Sequence, residues 1–386
     1  MYKIAASILG LFLLFQCRPT QTISQNTGRK TSDAASPVEP ISQAKPLNIV
    51  LMIGDGMGLT QMSAGMYMND NKLELERCTA IGLHKSYSAN DLITDSAAGA
   101  NAFSTGKKTK NGYLGVDSNG IALPTILEYA SHRGMATGMV VTSTLVHATP
   151  AAFMAHQSGR EDYESIAKDY MRTPCNLLVG GGKKYFDRRI SDSLNLVDQM
   201  RSNGYTVSDY FEEEYETISL PKVQKYCFFT ADGDPLPAAR GRNYLPKASK
   251  DACEFLGKTS TKGFFLMIEG SQIDWGGHAN QTDYIVTEVL DFNKAIGNVL
   301  DFAKRNENTL VIITADHETG GFAINTGSTQ GNIIGAFTTP KHTGSLIPVY
   351  AYGPGSSDFI GIYENTEIYY KMMKLLGRYK MTEDQK

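Results

Sequence analysis

The sequence predicts an α/β protein, a three-layer α/β/α sandwich on a mainly parallel central sheet. Two observations carry that expectation. From Leu47 onward, short apolar runs of β character alternate with stretches of helical periodicity, the pattern of crossover units. Several of these runs also end in a residue that binds metals: NIVLMIG leads into Asp55, FFLMI into Glu269, and LVIITA into Asp316 and His317. A parallel sheet sends the C-terminal ends of its strands to one edge, where open α/β folds bind ligands. Carboxylates and imidazoles far apart in the chain are therefore expected at one rim.

In chain order, strands are expected at 48–53, 136–142, 176–180, 263–269, 308–315 and 347–352. Helices are expected at 124–132, 283–305 and 366–376. In the second of these, Ile285, Val289, Phe292, Ile296 and Leu300 recur at three- and four-residue steps and define one buried face. The run SLIPVYAY is unlike the others because its histidine, His342, comes before the strand. Residues 191–250 carry the acidic run Glu212-Glu213-Glu214, many tyrosines and little periodicity, and read as an irregular insert in a single domain spanning 47–386.

Length and composition fit that parse. The 386 residues suffice for one large α/β domain, with 41% hydrophobic and 20% charged residues. A net charge of −3 without a long basic block argues against a nucleic-acid partner. Residues 1–17 read as a signal peptide: Lys3 precedes an apolar stretch at 4–15 that is short for a membrane span. The protein is thus expected to be exported, periplasmic or anchored to the cell envelope. Cys17 stands where a lipid-bearing cysteine would, although Gln16 departs from the small residue usual before one. Residues 18–46, rich in Ser, Thr, Gln and Pro, read as a flexible linker. The remaining cysteines, Cys78, Cys175, Cys227 and Cys253, allow three pairings that the sequence does not rank.

The chemistry gathers in three further stretches. IEGSQIDWGGHANQ adds Asp274 and His278, four apart, to the rim residues. TDSAAGANA places Ser96 at the expected start of a helix of small residues, where backbone N–H groups and the helix dipole favour an anion. The ordinary alternative is that Asp95 or Ser96 simply caps that helix. STLVHATPAAFMAHQSGR supplies His147 and Thr149 just beyond a strand, His156 as a structural histidine, and Arg160. Arg160 has either a phosphate-binding fork or a surface ion pair.

Taken together, IGDGMG, TDSAAGANAFSTGKKTKNGYLGVD, PTILEYA, HATPAAFMAH, EGSQIDWGGHAN, TADHETGG and HTG, in that order, make residues 48–352 resemble the alkaline phosphatase family. The resemblance implies an alkaline-phosphatase-like sandwich that hydrolyses phosphate monoesters through a phosphoserine on Ser96. It implies one zinc site of Asp274, His278 and His342, and a second of Asp55, Asp316 and His317 completed by Ser96. A third site, of Asp55, Thr149 and Glu269, would take magnesium, and Arg160 would clamp the phosphate. The donor types agree: carboxylate and imidazole suit zinc, an oxygen-only set suits magnesium, and a cation favours the serine alkoxide in an in-line displacement. His147 and Trp275 depart from the best-known bacterial pattern beside the phosphate and third metal. A histidine there removes a negative charge, which weakens hydrated magnesium or admits Zn2+ or Co2+. Trp275 is a candidate platform for an aromatic ester. A homodimer follows from family habit only.

Two decoys fall away. Gly54, Gly56 and Gly58 lack the third glycine of a dinucleotide fingerprint, where Leu59 stands, and Gly180-Gly181-Gly182-Lys183 lacks the spacing of a P-loop. The competing functions are a phosphodiesterase or sulfatase on a related scaffold and a noncatalytic metal- or phosphate-binding surface protein. The physiological substrate is not readable.

Overall fold

A computed structural model describes residues 47–377 of the chain. The expected signal peptide, Cys17 and the linker lie outside the described residues. Ten strands form one sheet: β1 (Asn48–Gly54), β2 (Ala80–Lys85), β3 (Ala136–Thr144), β4 (Leu177–Gly181), β5 (Thr206–Asp209), β6 (Tyr226–Phe229), β7 (Phe264–Gly270), β8 (Thr309–Thr314), β9 (Leu346–Tyr352) and β10 (Gly361–Glu364). Their order is β10-β2-β9-β8-β1-β7-β3-β4-β6-β5. Every neighbouring pair is parallel except the two made by β9, which runs against both β2 and β8.

That one reversal explains the odd position of His342. An antiparallel strand begins at the edge where its parallel neighbours end, and Leu346, its first residue, lies opposite Lys85, the last of β2. A histidine just before β9 therefore reaches the same rim as residues just after β1, β7 and β8. Register completes the alignment: Ile53 of β1 lies opposite Glu269 on one side and Thr314 on the other. Asp55 and Asp316 each leave the sheet two residues beyond that level.

The central strands are buried on both faces, which is why they read as unbroken apolar runs. Alternate residues of β1 enter separate cores. Ile49, Leu51 and Ile53 join one with Phe103, Leu127 and Phe153, from the helices Ser96–Thr105, Ile126–His132 and Ala148–Met154. Val50 and Met52 join the other with Leu256 and Phe292, from Tyr244–Thr259 and Thr282–Asn306. Helix, sheet and helix thus make three layers. Ile285, Val289, Phe292, Ile296 and Leu300 are all buried, as their spacing requires.

The segment 191–250 is more regular than expected. It contributes β5 and β6 to one sheet edge, the helix Leu196–Ser202 and the start of the Tyr244–Thr259 helix. Strands of four residues are too short to show a period, so the signal was absent. Among the described residues, Cys78, Cys175, Cys227 and Cys253 are free thiols, so none of the open pairings is made. No helix among them is long and apolar enough to cross a membrane.

Candidate active site

Ser96 opens the Ser96–Thr105 helix, and Asp95 is its N-cap, accepting from the Ala98 amide at 3.0 Å. The helix is built of small residues because it lies against the strand ends. A Cβ placed on Gly99 would sit 3.0 Å from the Cβ of Asp316. This closeness carries the Ser96 hydroxyl into the rim, 3.3 Å from His317 Nε2 and 3.5 Å from Asp55 Oδ1. Asp95 also accepts from Gly112 N and from Arg160, both at 2.9 Å. Both ordinary readings therefore hold, since Asp95 is a cap and Arg160 is in an ion pair, and together they fix Arg160 beside the helix start.

Three groups of donor atoms meet at the rim, each within 4.8 Å: Asp274, His317 and His342; Asp55, Asp316 and His317; Asp55, His147 and Glu269. His278 adjoins the first, its Nε2 lying 3.3 Å from Asp274 Oδ2 and 3.1 Å from His342 Nε2. The Nδ1 atoms of His278 and His342 each meet a carbonyl, Pro340 O at 2.7 Å and Thr94 O at 2.8 Å. A carbonyl only accepts, so each Nδ1 carries hydrogen and donates, and either ring, when neutral, turns a lone pair at Nε2 inward. Two such lone pairs facing each other at 3.1 Å repel unless a proton or a cation lies with them. Asp316 Oδ1 accepts from the amides of Gly56 and His317, at 3.2 and 2.9 Å, which holds its carboxylate toward the group.

The third group sets the His147 ring beside Asp55 and Glu269, where a histidine was expected next to the third site. His147 is the N-cap of the Ala148–Met154 helix, which brings Thr149 to the same place, and its ring meets Trp275 edge-on at 6.0 Å. Ser271 and Ser143 donate to Glu269 Oε2 at 2.6 and 3.4 Å. Asp55 Oδ2, His147 Nδ1, Thr149 Oγ1, Glu269 Oε1 and Asp316 Oδ2 are buried and lack a hydrogen-bond partner. Orphaned buried polar atoms are costly, and five converging ones fit cations.

The electrostatics agree. Burial pushes Glu269 up to about 8, and burial together with Asp316 and Asp274 raises Asp55 well above the carboxylate range. Burial also opposes ionisation of Asp274 and Asp316, but the histidines outweigh it and hold both below the usual value, through a His278 hydrogen bond and His317 charge for Asp274 and through His317 for Asp316. His278 is raised to about 9 by its bond to Asp274, while His342 falls to about 4 through burial and the His317 charge. Burial also lowers His147 to about 4. Burial thus pushes Asp55 and Glu269 up while the histidines pull Asp274 and Asp316 down, so the four carboxylates separate by their neighbours.

The structure thus brings together Asp55, Ser96, His147, Thr149, Arg160, Glu269, Asp274, His278, Asp316, His317 and His342. It leaves His156 apart, between Gly115 O at 2.7 Å and Glu128 Oε1 at 3.0 Å, a structural histidine. Sequence reasoning passed over Glu318 and Thr319, although both lie within TADHETGG. Glu318 is buried and accepts from Gln61, Gly321 N, Phe322 N and Thr343, binding the His317 loop to the segment that carries His342. His84 was missed too; fully buried, it lies with Nε2 2.8 Å from Ala315 O, beneath the Asp316 loop.

The family model for alkaline phosphatase matches residues 46–336. Alkaline phosphatase 3 of Bacillus subtilis (strain 168) is 33% identical across 85% of this chain and 88% of its own. The alkaline phosphatase of Escherichia coli (strain K12) is 31% identical across 90% of each. Among solved structures, the alkaline phosphatase of the Antarctic bacterium TAB5 matches with a TM-score of 0.80 and 42% identity, covering 86% of this chain and 98% of that one. Variants of that enzyme with a histidine changed to aspartate or glutamate are described with magnesium bound in the M3 site.

Proposed function

The chain belongs to the alkaline phosphatase family of phosphomonoesterases, and from that premise we propose that Ser96 is the nucleophile that takes the phosphoryl group. The carrying observation is the Ser96 hydroxyl, which lies at a capped helix start within 3.5 Å of Asp55 and His317 among orphaned buried donors. Asp274, His278 and His342 would hold one zinc ion. Asp55, Asp316 and His317 would hold a second, adjoining Ser96, and Asp55, Thr149 and Glu269 a magnesium ion, with His147 beside it. Bound there, the cations would supply charge compensation, polarise phosphoryl oxygens and make serine and water stronger nucleophiles at neutral and alkaline pH.

The chain's own groups account for the rest. Ser96 Oγ forms the new P–O bond as the ester P–O bond breaks, and hydrolysis of the phosphoserine regenerates the hydroxyl. Backbone N–H groups at the start of the Ser96–Thr105 helix face the transferring phosphoryl group. Arg160, steadied by Asp95, holds nonbridging oxygens. A monoester has one more charge than a diester, so a fixed guanidinium favours it.

The test is hydrolysis of matched aryl phosphate mono- and diesters with zinc and magnesium supplied. Wild type should prefer the monoester. Arg160→Ala should lose roughly 10²-fold in kcat/KM on it. Ser96→Ala should lose turnover by at least about 10²-fold while retaining zinc. Dominant diester hydrolysis indifferent to Arg160 would instead assign the chain to the phosphodiesterases of the related scaffold.

The signal-like residues 1–17 support export, with Cys17 as a candidate lipid site. An apolar sheet face supports a homodimer: Ile81, Ile360 and Ile362 are 58, 60 and 63% exposed on adjacent segments.

A further inference from the structure

Thr319 is fully buried, and each of its polar groups reaches a different part of the rim. Its amide donates to Gly56 O at 3.2 Å, and its carbonyl accepts from Gln61 Nε2 at 2.9 Å. Its backbone pairs with His342 in a two-residue antiparallel ladder, Glu318–Thr319 against His342–Thr343. Its hydroxyl has two partners, Asp274 Oδ1 and, at 3.2 Å, His317 Nδ1.

The hydroxyl has a single proton, which settles the direction of both bonds. The Asp274 carboxylate lies against the Nε2 atoms of His278 and His342, at 3.3 and 3.5 Å, and as an ionised group it only accepts. Thr319 therefore donates to Asp274 and must accept from His317, which places hydrogen on His317 Nδ1. Nε2 of that ring, which faces Asp55, Asp316 and Ser96 at 3.5, 3.1 and 3.3 Å, is then the nitrogen left to a cation in that group.

We propose that Thr319 is a positioning residue whose hydroxyl links the two zinc groups, fixing the His317 tautomer for one while orienting the Asp274 carboxylate for the other. The inference rests on the two-zinc reading above. Its consequence is coupling: removing one hydroxyl loosens a ligand in each group at once. The loop does not depend on that hydroxyl for its course, because Glu318 accepts from Gln61, Gly321 N, Phe322 N and Thr343 and ties it down independently.

The experiment uses zinc-loaded full-length protein challenged with a chelator, for wild type, Thr319→Val and Thr319→Ser. Valine keeps the shape and removes the hydroxyl, whereas serine keeps the hydroxyl. The expected result is a zinc affinity weakened about 10-fold or more at both sites in the valine variant, with serine close to wild type. Valine that retains zinc as wild type does overturns the proposal and leaves the phosphatase reading standing; a wild type that binds no zinc overturns both. Nitrogen NMR of histidine-labelled, zinc-loaded wild type gives a second decision that needs no variant. Hydrogen on His317 Nδ1 is expected, and hydrogen on Nε2 is fatal to the relay.

Discussion

The rim residues titrate in a way that makes metal binding visible in stability. Burial raises Glu269 to about 8 and also raises Asp55, and the bond to Asp274 raises His278 to about 9. Glu269 and His278 thus hold protons at a pH where the unfolded chain has released them. Between about pH 6.5 and 9 the native state consequently holds more protons than the unfolded one, and its stability falls as pH rises. His147 and His342, depressed to about 4, act in the opposite sense, but only between their folded values and the ordinary histidine value near 6.5. Chelated protein should therefore lose several degrees of Tm from about pH 6.5 to 9, while protein supplied with zinc and magnesium should not. A Tm series in matched buffers, with and without chelator, tests this, and a flat chelated curve contradicts it. His147 allows a second test at the same scale. Its ring brings no negative charge to Asp55 and Glu269, so His147→Asp should tighten magnesium binding by about 10-fold. Magnesium titration of the zinc-loaded variant measures that, and an unchanged affinity would show that the position does not tune the third site.

At the scale of elements, the Ser96 helix is held so close to the strand ends that its seat depends on one missing side chain. Gly99→Ala should help the helix by up to about 1 kcal/mol in propensity, yet its Cβ would lie 3.0 Å from that of Asp316. Either the helix start or Asp316, both parts of the rim, must then give by a few tenths of an ångström. We expect kcat to fall roughly 10-fold with little change in Tm, since displacing reacting groups costs far more in rate than in packing. Equal kcat in the two proteins would mean that the seat has slack. That the helix begins at Ser96 was legible from Asp95 followed by small residues, and β1, β7 and β8 from apolar runs ending in ligands. The reversal of β9 was not legible, because strand direction is set by pairing with β2 and β8 and leaves no mark in the order of residues. β2, β5, β6 and β10 were missed for a different reason. AIGLHK mixes glycine, histidine and lysine into its alternation, and the other three have four residues each. Thr319 escaped notice because a threonine among Asp, His and Glu carries no ligand signature; only its position between Asp274 and His317 gives it a role.

At the scale of the whole molecule, the ten-stranded sheet finishes differently at its two ends. On the β10 side, Ile81 of β2 lies opposite Tyr350, and Leu83 lies between Pro348 and Ile362, so these side chains share one face. Ile81 and Ile362 stand 58 and 63% exposed there, with Leu346 at 42% beside them, and β10 is an edge strand. A soluble chain seldom leaves such a face to water, and a second copy covering it would bury the apolar surface and shield the edge. We expect wild type to behave as a dimer in light scattering, and Ile81→Lys with Ile362→Lys to convert it to a monomer, since two ammonium groups cannot enter a dry interface unpaired. A wild type that is monomeric at all concentrations, or a doubly substituted dimer, would contradict that surface. The same variant separates assembly from chemistry. Every donor atom in the three candidate metal groups comes from one chain, so the monomer should keep its zinc and still release phosphate from an aryl monoester, with any loss appearing in thermal stability before it appears in kcat.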